Sequence, residues 1–181
     1  MKITNLFEGL KRIENGDYVL EGDLISEESI EIDLDDRLIV RGNIVTKKSL
    51  LAARTIIAGC GIKAGCGIEA GCGIKAGCGI KAGCGIEAGC GIKAGWGIKA
   101  GEGIEAGWGI EAGEGIEAGE GIKAGCGIKA GCGIEAKTFV DVKKRIFAGV
   151  SIFHDSSNCK KEIKCKELRN GEVSFGTLII E

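Results

Sequence analysis

No run of about 18 uninterrupted apolar residues occurs in this 181-residue sequence, so no membrane-spanning helix is expected. The opening stretch, MKITNLFEGLKRIENGD, lacks the continuous apolar segment of a signal peptide, and a cytoplasmic location is the expectation. Charge of one sign is not in excess. A net charge of −2 argues against a general nucleic-acid binder that works by phosphate neutralisation, and equally against a carboxylate-rich DNA mimic. Proline is absent, aromatic residues make up only 4%, and the single histidine, His154, leaves little material for acid–base catalysis. What is plentiful is aliphatic or small. With 44% hydrophobic residues and 33 glycines at so low a net charge, disorder is excluded and a packed interior is expected.

From Ile62 to Ile134 an isoleucine recurs at every sixth residue in the unit I-[KE]-A-G-x-G, as in Ile62-Lys63-Ala64-Gly65-Cys66-Gly67. Six is an even number, so the in–out alternation of a strand survives from unit to unit, whereas a helical turn would scatter the isoleucines around its circumference. Two glycines in every six also oppose a helix. The frame continues in degenerate form, upstream through Leu38-Ile39-Val40, Ile44-Val45-Thr46, Leu50-Leu51-Ala52 and Ile56-Ile57-Ala58, downstream through Val140-Asp141-Val142, Ile146-Phe147-Ala148 and Ile152-Phe153-His154. Its first and third places stay aliphatic or small and therefore face inward. Before Ile32 the frame slips by two residues, which predicts a bulge near Asp33 to Arg37.

Residues 59–76 are repeated identically at 77–94, so the larger period is 18 and each coil has three strands. The expected fold is an all-β, single-stranded β-solenoid in the form of a triangular prism. At about 4.8 Å per coil, the roughly 23 units of residues 18–157 give between seven and eight coils. The variable fifth place holds cysteine in eight units, Trp96 and Trp108 in two, and Glu102, Glu114 and Glu120 in three. A narrow coil cannot bury three unpaired carboxylates, so this place belongs at a corner facing water.

The ends of such a rod are sheet edges that need cover. Ile3, Leu6, Phe7, Leu10 and Ile13 share one helical face ahead of Asn15-Gly16, which predicts an N-terminal cap helix within residues 1–17. Asn170-Gly171 lies between two strand-like runs and predicts a C-terminal capping hairpin within residues 158–181. Either that hairpin or a solenoid end would serve a homodimer.

The aliphatic residue at every sixth place over some three quarters of the chain resembles the hexapeptide-repeat, left-handed β-helix proteins, and the resemblance implies a left-handed coil. Acyltransferases of that family use a histidine base on a loop projecting from the coil. Here His154 stands at the end of the regular frame and no long insertion interrupts the coils, so no catalytic residue is assigned and the expectation is a protein that is not an enzyme. The Gly-rich wording GWGIEAGEGIKAG is similar to that of a group of uncharacterised bacterial and prophage proteins. Units such as Val40-Arg41-Gly42-Asn43-Ile44 also resemble bactofilins, which polymerise end to end.

At 18-residue spacing Cys60 lies over Cys78, Cys66 over Cys84 and Cys72 over Cys90, about 5 Å apart. An adjacent pair offers two ligands rather than four, and no C-x-x-C occurs, so neither a metal nor a cofactor is assigned. Cys159 and Cys165 read as local packing or surface thiols. Between Gly101 and Gly121 lie Glu102, Glu105, Glu111, Glu114, Glu117 and Glu120 with no lysine or arginine, with Trp108 among them and Trp96 one coil from Glu114. Exposed tryptophan beside carboxylates is the composition of an interface hot spot for a protein with a basic surface. The expected function is a rigid, non-catalytic rod that binds another macromolecule through these residues. A specific version is a phage-encoded inhibitor in the basic nucleic-acid channel of a host defence nuclease. The alternatives are a self-assembling, bactofilin-like scaffold and a Cys-rich metal or redox-binding module. Direct nucleic-acid or membrane binding is not expected.

Overall fold

The computed structural model describes residues 1–150 and 159–181. His154 and the unit Ile152-Phe153-His154 lie outside the described residues, as does the expected solenoid boundary at Ser157. No helix occurs among the described residues, and so none is long and apolar enough to cross a membrane. From Leu38 to Ala136 the chain alternates three-residue strands with three-residue corners. Each strand stacks in parallel on its counterpart one 18-residue period away, Ile62 on Ile80 and Ile80 on Ile98. The result is the three-sided β-solenoid that the period predicts.

The first face runs through Leu38–Val40, Ile56–Ala58, Ile74–Ala76, Ile92–Ala94, Ile110–Ala112 and Ile128–Ala130. The second runs through Ile44–Thr46, Ile62–Ala64, Ile80–Ala82, Ile98–Ala100, Ile116–Ala118 and Ile134–Ala136. The third runs through Leu50–Ala52, Ile68–Ala70, Ile86–Ala88, Ile104–Ala106 and Ile122–Ala124. Isoleucine at the first place and alanine at the third fill the prism, and from Ile62 to Ala136 none of them is more than 3% exposed. Each enclosed isoleucine contributes roughly 1.5–3 kcal/mol of apolar burial.

The two glycines of each unit have different reasons. A Cβ at Gly83, in the fourth place, would stand 2.9 Å from the carbonyl carbon of Gly65 in the preceding coil and closer still to its oxygen. At Gly85, in the sixth place, the nearest atom is 3.4 Å away. Neither has a positive φ, so at Gly83 it is the close approach of the stacked corner, not backbone conformation, that disfavours a side chain; Arg41, Lys47, Ala53 and Lys137 take the fourth place elsewhere in the solenoid. The sixth place tolerates one: Asn43 and Thr55 occupy it and accept hydrogen bonds from the amides of Gly61 and Gly73 in the next coil. At the unit that begins with Val140 the corner opens out and Phe139–Ala148 runs through it as one strand, pairing Val140 with Ile122 and Ile146 with Ile128.

The two-residue slip is present. Tyr18, Leu24 and Ile30 pair with Leu38, Ile44 and Leu50, whereas Leu38 already pairs with Ile56. The longer corner turns Leu34 inward, where it is 5% exposed. Beside it the buried carboxylate of Asp17 accepts two hydrogen bonds from Arg37, at 2.7 and 2.8 Å, and one from the Asn15 amide.

Both expected caps are corrected. In place of an N-terminal helix, Lys2–Ile3 adds in parallel to Ile30–Ile32 on the third face and Leu10–Arg12 pairs antiparallel with Tyr18–Leu20 on the first. A helix cannot satisfy the open amides of a sheet edge, whereas Met1 and Ile3 accept from Glu31 and Asp33 with their carbonyls. Leu6, counted on the apolar helical face, is 89% exposed. At the other end Asn170-Gly171 makes no hairpin. Glu167–Phe175 lies parallel to Phe139–Ala148, with Gly171 at φ +100° beside register shifts, and Thr177–Ile180 lies parallel to Glu162–Cys165. The open edge of a parallel ladder supplies partners along the whole segment, so the chain goes on coiling, and the second face holds nine strands. The last coil leaves Phe175, Leu178 and Ile180 exposed.

Candidate interaction surface

The second place of each strand points outward, and the 18-residue period keeps it on one face. On the first face this row reads Ile39, Ile57, Lys75, Lys93, Glu111, Lys129 and Phe147. On the second it reads Val45, Lys63, Lys81, Lys99, Glu117 and Glu135. On the third it reads Leu51, Glu69, Glu87, Glu105, Lys123 and Asp141. Charge is therefore sorted by face, with Lys63, Lys81 and Lys99 stacked on one and Glu69, Glu87 and Glu105 on another. Like charges in register on neighbouring strands, about 4.8 Å apart, work against the fold.

All three signs reverse together at the coil that begins with Ile110. Three ion pairs result, one on each face at the same level: Lys93 to Glu111 at 2.9 Å, Lys99 to Glu117 at 2.5 Å and Lys123 to Glu105 at 2.6 Å. The hydrogen bond from Lys93 holds the Glu111 carboxyl below its ordinary range, with a smaller contribution from Lys129 at 3.8 Å. Its counterpart on the third face, Glu105, raises Lys123.

Glu105, Glu111 and Glu117 thus stand on three different faces, each against a lysine. The corner residues are divided as well. Glu102 and Glu120 follow one another on the corner between the second and third faces, the Glu120 amide donating to the Glu102 carbonyl at 3.2 Å. Trp96 and Glu114 are neighbours on the corner between the first and second faces. Trp108 is on the remaining corner, between Cys90 and Cys126. The two indoles are 60% and 66% exposed, as a fifth place on a corner requires. The expected contact patch is therefore a girdle around the rod, because consecutive units occupy different faces.

What the fold does assemble is an acidic trough along the third face. Gly67, Gly85 and Gly103 line it with Glu69, Glu87 and Glu105 and with Cys84, Glu102 and Glu120, and Lys123, ion-paired to Glu105, lines it as well. Glu69 and Glu87 were not among the candidate residues. Their signal was the order Lys63, Glu69, Lys75 within the 18-residue period, which gives every third unit a glutamate on the same face.

The stacked cysteines lie on the three corners, half-buried, with the amides of Cys78, Cys84 and Cys90 donating to the carbonyls of Cys60, Cys66 and Cys72. Burial, then Glu102 and Cys66, raises the Cys84 thiol. Cys132 and Cys159 form a disulfide with their Cα atoms 5.0 Å apart, a pairing the repeat could not announce because Cys159 lies beyond it. Cys165 takes a third place in the last coils, and burial raises its thiol. Among the described residues no three His, Cys, Asp or Glu side chains are placed to hold a metal ion. No family model, no curated protein and no solved structure matches the chain.

Proposed function

We propose that the protein is a rigid, non-catalytic rod that binds a macromolecule with a basic surface along its third face. One observation carries this reading: Glu69, Glu87 and Glu105 are stacked in register beside Glu102 and Glu120. Stacked carboxylates cost stability in the free rod, and a basic partner offsets that cost while steering its own approach. Trp108 is an exposed aromatic on the corner where the third face meets the first, outside the trough's lining. The narrower version, inhibition of a host nuclease through its basic channel, takes its support from the prophage-like wording of the repeat.

The test is capture from the native host with the unaltered chain, with Glu87→Lys and with Glu135→Lys, a control on the second face. A partner that is lost with Glu87→Lys, kept with Glu135→Lys and released by salt supports the assignment. A set of partners unchanged by Glu87→Lys overturns it. A second reading, a self-assembling scaffold, is favoured by the exposed Phe175, Leu178 and Ile180 of the last coil and is checked by electron microscopy for end-to-end filaments.

A further inference from the structure

Resting on that reading, we propose that the basic surface is the first face of a second copy of this chain, lying parallel to the third face and in register with it. The pairing is legible coil by coil. In four consecutive coils the outward residues of the first and third faces are opposite in sign: Lys75 and Glu87, Lys93 and Glu105, Glu111 and Lys123, Lys129 and Asp141. The opposition survives the coil where every sign reverses. Ion pairing within one copy does not require it, because the two residues of each pair stand on different faces, whereas Lys93–Glu111 and Lys123–Glu105 each join residues of the same face. One coil before these four, Ile57 faces Glu69 without a charge partner, and two coils before them Ile39 and the 40% exposed Leu51 form an apolar pair.

The alternatives are less complementary. Against the second face there are also four opposite pairs, Lys63, Lys81, Lys99 and Glu117 with Glu69, Glu87, Glu105 and Lys123, but Glu135 then meets Asp141, a like-charge contact that the first face avoids. With the copies antiparallel about the centre of those four coils, Lys75 with Asp141 and Lys129 with Glu87 remain opposite, but Lys93 meets Lys123 and Glu111 meets Glu105. Both rods share one rise per coil, so a parallel match accumulates no error along the contact. Faces one and three share the corner that carries Trp108, so the Trp108 side chains of both copies flank the same margin of the contact. Exposed ion pairs are individually weak, so the association is concentration-dependent and salt-sensitive. It joins unlike faces, leaves one of each kind free on every pair, and therefore continues beyond a dimer.

Light scattering on the full chain across concentration, at low and high salt, tests this. The unaltered protein is expected to grow past a dimer at low salt and to dissociate at high salt. Glu87→Lys and Lys75→Glu are each expected to weaken association about tenfold. Each also removes a like-charge stack within its own copy, so the melting temperature does not fall and loss of folding is not the cause. An equimolar mixture of the two variants restores opposite signs at that level and is expected to recover assembly. A protein that is monomeric at all concentrations in low salt overturns the proposal. So does association that Lys81→Glu disrupts and Lys75→Glu leaves intact, which moves the contact to the second face. If the chain is monomeric while Glu87→Lys still abolishes capture of a basic partner from the host, the binding reading stands and self-pairing fails.

Discussion

Lys93 and Glu111 stand in register on adjacent strands of the first face, with Nζ 2.9 Å from Oε2, at the level where the charge of every face changes sign. This pair and its two counterparts bind the lysine-rich coils to the glutamate-bearing coil above them. The same reversal limits the acidic and basic rows to short ladders.

Because the folded-state value of Glu111 is depressed, its contribution is present above the ordinary carboxylate range and is lost as pH falls through the folded-state value. Glu111→Gln is expected to lower stability at neutral pH by at most about 1 kcal/mol, as befits a partly exposed pair. Thermal melts of both proteins from pH 7 downward should converge in acid. A gap that stays constant to low pH would assign the effect to packing instead.

The two glycines of one unit are expected to differ sharply on substitution. Gly83→Ala drives a Cβ into the backbone of Gly65 and should cost about 1–3 kcal/mol. Gly85→Ala meets only ordinary contacts and should stay within about 0.5 kcal/mol. Equal losses in denaturant titrations would show that the corners are not held apart by close approach.

Arg37→Ala removes both donors that this guanidinium offers to the buried Asp17 and leaves only the Asn15 amide from the described set of side-chain donors. A loss of stability, seen as a lower midpoint, is expected in chemical denaturation, because a buried carboxylate loses two of its donors. Arg37→Lys should recover part of it, since an ammonium keeps the charge without the two-pronged geometry. No change in either variant would place this corner outside the cooperative unit.

Peptide mapping without reductant is expected to recover Cys132 joined to Cys159, and reduction should lower stability by about 3 kcal/mol for a closure spanning 27 residues. Cys165, 2% exposed, should resist alkylation until the chain unfolds. Rapid labelling of Cys165 in the native protein would contradict its third-place packing.

The strand period, the 18-residue coil, the inward isoleucine and alanine and the slip before Leu38 were legible in the sequence, because a repeat makes each buried position recur at a fixed interval. The outward fifth place was legible for the same reason, through carboxylates that a narrow interior cannot hold. The terminal segments were not. Ile3, Phe7 and Leu10 fit a helical face locally, and Asn170-Gly171 fits a hairpin locally, but both segments lie against an open ladder whose unpaired amides and carbonyls accept only strands. The candidate surface divides along the same line. That Glu102, Glu105, Glu111, Glu117 and Glu120 are exposed follows from their places in the unit. Which of them share a side with Glu69 and Glu87 depends on how three strands close one coil, and that placement is a property of the stacked structure rather than of distance along the chain.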